Sequence, residues 1–414
     1  MAICHSFRAL RPSRSRVSEV ACPPYDTVDW TEAQVIAHTS PNSFMPVVRG
    51  DAVLAEGTAQ GSTEACRASQ AALAGLLARG VLEHEPQPTM YAYRQVMNGH
   101  RQSGLVCCVD VEEYRRGAIA QHERTRPEKE GERLAHMLAL SAHAEPVFLA
   151  ARCDQLAEQL RREMNDRPLF HFVAKDGVTH SMWSVHDPAA YQALLAPVER
   201  LYIADGHHRC AAALRAHDSL RGSGAPAAVL AEAARFPAVI FPAMDLHIAP
   251  YHRVVLSSDV STDTLLARLS AESPVQAWES GSPGAPGWCC MRTPGAWHRF
   301  RLERRSSRRD RTDTLDVDSL QRRILGPMLG ITDPRHDQRL SFIGGNHSDL
   351  LAHLVDTGKA TLAFAMFPMA VDQVLAIADA GEIAPPKSTW FEPKLRSGLF
   401  VHSFAAGHLG GGAK

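Results

Sequence analysis

The chain of 414 residues has no Cys-x-x-Cys pair, no His-x-x-x-His or His-Glu-x-x-His spacing, and no apolar run of membrane-spanning length. The first absences remove the patterns by which a zinc site is read from sequence, although 21 histidines are present. The adjacent His207 and His208 would point different ways from a turn and seldom hold one ion together. The opening from Met1 to Arg16 is polar and arginine-rich, without the apolar core of a secretory signal, so no membrane partner is expected. A Gly-x-Ser-x-Gly elbow, a Walker loop and a Gly-x-Gly-x-x-Gly fingerprint are missing as well. The common hydrolase, P-loop and dinucleotide readings therefore lack support. An excess of either charge is also lacking: 44 Lys and Arg oppose 45 Asp and Glu, a formal net charge of -1. No global field draws the protein to nucleic acid or anionic lipid. The 9 cysteines show no framework spacing, and an odd, scattered set fits reduced thiols and a cytoplasmic location. Cys107 and Cys108, inside Gly104–Val109, read as core thiols of a buried strand.

What is present is an ordinary globular composition, 45% hydrophobic and 21% charged, in a chain long enough for two or three domains. Helical spacing is clear over 29–38 behind a capping Asp, over 64–79 before Gly80, over 128–142 and over 153–164. Tyr91–Val96 and Gln102–Val111 alternate as strands about Asn98-Gly99, a hairpin signal. Segments 170–173 and 179–185 read as a strand pair. Strands are also predicted over 146–150, 237–246, 297–302 and 360–367, with helices over 259–270, 318–329 and 371–380. The loop 280–287 alternates Gly, Ser and Pro. Strict strand–helix alternation is lacking, so the fold class is α+β, with mixed sheets and flanking helices. We divide the chain into an N-terminal α/β region (1–100), a core (101–220), a C-terminal α+β region completing the site (221–404) and a disordered tail (405–414).

One junction concentrates polar groups. The apolar run Leu201–Ala204 ends in Asp205-Gly206-His207-His208-Arg209 and passes into the alanine-rich run that begins at Cys210. A strand thus hands over to a helix N-terminus, whose unpaired amides and positive dipole end suit an anion such as phosphate. Arg209 adds a planar cation for phosphate oxygens. Gly206 permits the tight turn, and Asp205 suits a divalent metal or the orientation of a proton.

Two further clusters read as solvated polar segments when taken alone. His122-Glu123-Arg124-Thr125 places a carboxylate beside a histidine, a pair able to serve general-base chemistry. Lys387-Ser388-Thr389 follows two prolines, where a lysine and hydroxyls could clamp phosphate or polar substrate groups. Pro23-Pro24-Tyr25-Asp26 either shapes a loop or holds Tyr25 and Asp26 against a pocket. The arginines from Arg299 to Arg311 are diluted by acids and read as an exposed charged hairpin rather than a nucleic-acid patch.

Together these clusters resemble domain of unknown function 1015, nearly end to end. The matching pieces are Pro23–Asp26, Asn42–Phe44, His122–Thr125, Ile203–Arg209, His252-Arg253, Leu315-Asp316-Val317, Pro386–Thr389, Pro393-Lys394 and Gly398-Leu399. More distantly, the order His-Glu, Asp-Gly-His-His-Arg, Pro-Lys-Ser-Thr is similar to that of free-serine kinases of the ParB/sulfiredoxin-like fold. That resemblance implies a ParB/sulfiredoxin-like core and a small-molecule kinase using ATP or ADP with Mg²⁺. It implies Glu123 as base, Asp205 and His207 as further catalytic groups, and Asp205 as metal ligand. Gly206, His207, His208, Arg209 and Lys387 would bind phosphate or nucleotide. His122, Thr125, Ser388, Thr389, Tyr25 and Asp26 would meet the substrate. The implied partners are a small molecule and a nucleotide, and a homodimer is compatible with this reading. Two alternatives stay open: a non-catalytic nucleotide-binding switch, and a metal-dependent phosphoesterase. Cys210 departs from the family, which has a large aromatic there, and the long stretch between Glu123 and Asp205 leaves room for an acceptor other than serine.

Overall fold

The computed structural model describes residues 4–303 and 311–405. The expected disordered tail falls almost wholly outside these residues, as does the middle of the basic run. The chain forms two compact units. The first comprises Met1–Gln121, Thr125–Leu246 and Pro393–Lys414; the second comprises His122–Arg124 and His247–Glu392. The divisions read from the sequence at 100 and 220 fall at the start of strand His100–Asp110 and in the last turn of helix His207–Gly222.

The first unit is built on a mixed nine-stranded sheet. Its strands run in the order Ile119–Ala120, Leu201–Asp205, Val147–Ala151, Arg235–Pro242, His100–Asp110, Tyr91–Met97, Thr179–Ser184 and Phe170–Val173, with Cys4–His5 added to His100–Asp110. Leu201–Asp205 lies antiparallel to Val147–Ala151 and parallel to Ile119–Ala120. This strand is buried from Leu201 to Ala204 and emerges only at Asp205, so the sheet delivers the carboxylate to its edge. The Asn98-Gly99 hairpin forms as read, with φ of 51° and 82° at the two turn residues, the positive values a tight hairpin demands. Cys107 and Cys108 are fully buried on its returning strand, and all nine cysteines are free thiols. Leu105, Leu149, Ile203, Phe236 and Ile240 fill the core beneath helices Asp154–Glu163 and His207–Gly222. A small antiparallel sheet orders Leu82–His84, Ala9–Pro12, Val401–Ser403 and Ala142–His143.

The second unit carries an antiparallel six-stranded sheet. The order is Gln276–Trp278, Ala296–Arg301, Trp288–Thr293, Leu362–Met366, Tyr251–Val255 and Leu340–Gly344. Helix Ser348–Asp356 covers it through Leu351 and Val355. A two-stranded ribbon pairs His247–Ala249 with Trp390–Glu392. Both units mix helices and sheets without regular alternation, which makes the fold α+β.

Two elements end for local reasons the sequence only half showed. The strand expected to reach Leu246 stops at Pro242, whose ring nitrogen cannot extend the ladder, and a short turn Ala243–Asp245 follows. The helix expected over 318–329 is α-helical only over Asp316–Leu320 and widens over Gln321–Leu325, where the Gly326 amide reaches Gln321 O at 2.9 Å. In the basic region, the Arg299 guanidinium lies 4.3 Å and 4.0 Å from the ring centres of Trp278 and Trp288. Those aromatics come from neighbouring strands, so linear spacing hid them. No helix among the described residues is long and apolar enough to cross a membrane.

Candidate functional site

In the first unit, the Asp-Gly-His-His-Arg segment forms the strand–helix turn that its sequence demands. Gly206 sits at φ 100°, a left-handed conformation costly for any residue with a Cβ. A Cβ there would also stand 3.0 Å from Arg209 Nε, because the guanidinium folds back across the turn. Arg209 Nη2 donates to Asp205 Oδ2 at 2.6 Å, and Nη1 donates to the Pro146 carbonyl. Lys394 Nζ donates to the other oxygen, Asp205 Oδ1, at 3.0 Å. Burial disfavours the charged form of Asp205, but Lys394 and Arg209 outweigh it and hold the carboxyl well below the usual range. Asp205 in turn keeps Arg209 firmly protonated despite its burial.

His207 and Arg209 are buried, while His208 and Asp205 are partly exposed. His208 Nε2 accepts from the Arg126 amide at 3.1 Å, which fastens the ring to the residue before helix Pro127–Leu140. Cys210 is fully buried in the core, so its small side chain fills space between helix and sheet. The metal role read for Asp205 meets a constraint here: each of its oxygens already accepts from a cation. Among the described residues no group of three or more His, Cys, Asp or Glu could hold a metal. The donor set therefore does not fit a protein-held Mg²⁺ in this arrangement.

Beside this turn lies a set of charged groups that the sequence did not bring together. Glu145 is buried, and its Oε1 accepts from the Tyr25 amide at 3.3 Å and from Ser397 Oγ at 2.5 Å. Burial raises its pKa, and Arg209 partly offsets this. Tyr25 is buried with its ring 3.9 Å from the Arg133 guanidinium carbon, whereas Asp26 is exposed. The Pro-Pro-Tyr-Asp loop is held by buried Arg49, which reaches the carbonyls of Tyr25 and Val28 and pairs with Asp51 at 2.7 Å. Thr125 donates its hydroxyl to Glu130, so it fastens the start of helix Pro127–Leu140. Lys394 is placed by its backbone: Gln95 donates to the Lys394 carbonyl at 2.7 Å and Gln102 to that of Pro393 at 3.2 Å. Gly398, at φ 85°, lies so close to Phe44 that a Cβ would approach to 2.5 Å.

The remaining candidates belong to the second unit. His122 is buried; its Nε2 bonds Thr389 Oγ1 at 3.0 Å and its carbonyl accepts from the Ala384 amide at 2.8 Å. These contacts fasten the residue that precedes partly exposed Glu123. Ser388 donates to the Pro385 carbonyl at 2.6 Å, and Arg253 reaches the Pro386 carbonyl at 3.2 Å. Lys387 is exposed at φ 56°, a strained position for a residue other than glycine, with Nζ 5.7 Å from the Tyr251 ring centre. Among the family pieces without an assigned role, Arg253 braces the proline turn, and Asp316 accepts from the Gly287 amide at 2.9 Å. Sequence reasoning missed Arg133 and Glu145, and quoted Lys394 without a role. Only the Pro393-Lys394 pair carried a signal.

The fold and turn define an α+β protein with a charged strand–helix junction. The chain belongs to the family of proteins of unknown function DUF1015, whose model matches residues 4–319. No curated protein matches it. Solved structures similar to it include a conserved hypothetical protein from Pyrococcus furiosus, 13% identical with a TM-score of 0.36, covering 71% of this chain and 95% of that one. A free serine kinase in complex with AMP is 12% identical with a TM-score of 0.37, covering 71% of this chain and 91% of that one. SbnI with a C-terminal truncation, from Staphylococcus aureus, is 12% identical at a TM-score of 0.36, covering 71% and 85%.

Proposed function

We propose that this chain is a small-molecule kinase that moves a phosphoryl group from ATP or ADP to the hydroxyl of free serine or a similar small metabolite. The observation that carries the reading is the Asp205–Arg209 turn. A left-handed glycine opens a 16-residue helix there, and a buried arginine and a lysine surround a single acid. Phosphoryl transfer asks a protein chiefly for positioning and charge neutralisation, and a helix N-terminus with fixed cations supplies both.

In this reading Glu123 takes the acceptor's hydroxyl proton. The hydroxyl oxygen bonds to the terminal phosphorus as the bridging P–O bond breaks, releasing ADP or AMP. Gly206, His207, His208, Arg209 and Lys387 bind phosphate, and Asp205 orients Arg209 and Lys394. Any Mg²⁺ arrives with the nucleotide phosphates as part of the substrate. His122 and Thr389 steady the base, while Tyr25, Asp26, Thr125 and Ser388 shape the acceptor's surroundings.

The test is incubation with ATP or ADP, Mg²⁺ and a panel of hydroxyl amino acids. Acceptor-dependent nucleotide consumption, abolished in Glu123→Gln with nucleotide binding retained, supports the kinase. Binding without consumption supports the switch, and phosphate release with water alone supports the phosphoesterase.

A further inference from the structure

Arg133, on helix Pro127–Leu140, is 2% exposed. Its Nη2 reaches Gln60 Oε1 at 3.2 Å, but Nε and Nη1 meet no acceptor among the described residues. Buried guanidinium donors are nearly always paired, since an unmet charged donor is costly away from water. The plane of this cation is fixed by the Tyr25 ring at 3.9 Å. Glu145 is bonded to the Tyr25 amide, yet its carboxylate is engaged there and by Ser397 rather than by Arg133. A second buried guanidinium, Arg209, also keeps an unmet Nε. Arg133, Arg209 and Glu145 all act electrostatically on Tyr25.

A cation with two spare donors over the ring, and an acid at the backbone amide, thus meet at one tyrosine. This pairing matches a zwitterion, with a planar carboxylate across Arg133 and an ammonium toward Glu145. Gln60, a neutral and half-buried partner, is the group a carboxylate would displace. We propose that Arg133 and Glu145 recognise the carboxylate and amino group of the acceptor, making it an α-amino acid rather than an amino alcohol, hydroxy acid or sugar. The assignment of this ligand as acceptor rests on the kinase reading; the recognition itself does not.

The experiment is calorimetric titration of the full chain with L-serine, ethanolamine and 3-hydroxypropionate. The wild type should bind serine at least about tenfold tighter than either analogue. Arg133→Gln should weaken serine about 10- to 100-fold while leaving ethanolamine unchanged, and Arg133→Lys should fall between. Equal binding of the three ligands by the wild type, absence of serine binding, or an equal loss for all three ligands in Arg133→Gln overturns the proposal. Should Arg133→Gln not fold, the wild-type panel and Arg133→Lys decide it. Serine binding with this pattern but without acceptor-dependent nucleotide consumption leaves the recognition site standing and removes the kinase reading alone.

Discussion

Lys394 donates to Asp205 at 3.0 Å across 189 residues of sequence, so the acid of the Asp-Gly-His-His-Arg turn is set by a cation from the far end of the chain. Arg209 takes the other oxygen from only four residues away. Lys394→Met removes one of the two charge-assisted bonds and should cost about 1–3 kcal/mol. Asp205→Asn removes the charge that faces both cations at once and should cost more, about 3 kcal/mol, because the side chain is only 24% exposed. Urea unfolding at neutral pH measures both. An Asp205→Asn midpoint equal to that of the wild type contradicts the pairing.

Gly206→Ala should be disproportionately harmful for a single methyl. The φ of 100° alone costs about 1–2 kcal/mol for an L-residue, and the new Cβ would press on the Arg209 guanidinium. Displacing Arg209 loosens its hold on Asp205 and on the Pro146 carbonyl. Thermal unfolding should drop by several degrees, and affinity for AMP or ADP should fall with it. Unchanged nucleotide affinity in a destabilised variant would separate the turn's structural role from the binding role proposed for it.

The parts legible in the sequence were those whose cause is local. Asn98-Gly99 has one economical conformation between alternating strands, and Asp29 caps helix Trp30–Thr39 through a capping box. The Asp-Gly-His-His-Arg junction likewise follows from an apolar strand, a glycine and an alanine-rich helix in immediate succession. What escaped depends on long-range pairing. Nothing in Leu201–Asp205 itself says that it lies between Ile119–Ala120 and Val147–Ala151. Arg133 reads as one charge among several on an amphipathic helix until Tyr25, over a hundred residues earlier, is found against it. The hydroxyls of Thr125 and Ser388, read as substrate contacts, also bond within their own local segments, which the sequence did not show. Sequence names the polar group but not the nearest acceptor that claims it.

Lys387 separates stability from binding. Its φ of 56° is strained for lysine and natural for glycine, so Lys387→Gly should be neutral or stabilising by up to about 1 kcal/mol. The same change deletes the cation assigned to phosphate. Nucleotide turnover should therefore fall while the unfolding midpoint holds or rises. A variant that unfolds more readily would show that the contact with Tyr251 outweighs the relief of strain.

Acid should unfold this protein earlier than its carboxylates alone would dictate. Burial pushes His136, His143 and His180 down to about 3, and His252 to about 4. Arg133, His402 and Arg396 add repulsion at the first three in turn, and Arg253 at the fourth. Their bonding suits neutral rings: His252 Nδ1 accepts from the Met366 amide at 3.1 Å, and His180 bonds Tyr93 at 2.6 Å. A depressed folded pKa means that the unfolded chain binds protons first. The stability these rings contribute is complete above the ordinary value of 6.5 and is lost as pH falls from there toward 3–4. Between those limits these four rings alone add a slope approaching four protons to the fall in unfolding free energy, three from the first unit and one from the second. Urea midpoints at pH 7.5, 6.0 and 5.0 measure it, and His252→Gln should remove about one proton from the slope. A flat profile through pH 5 would mean that these rings are hydrated or already charged in the folded protein.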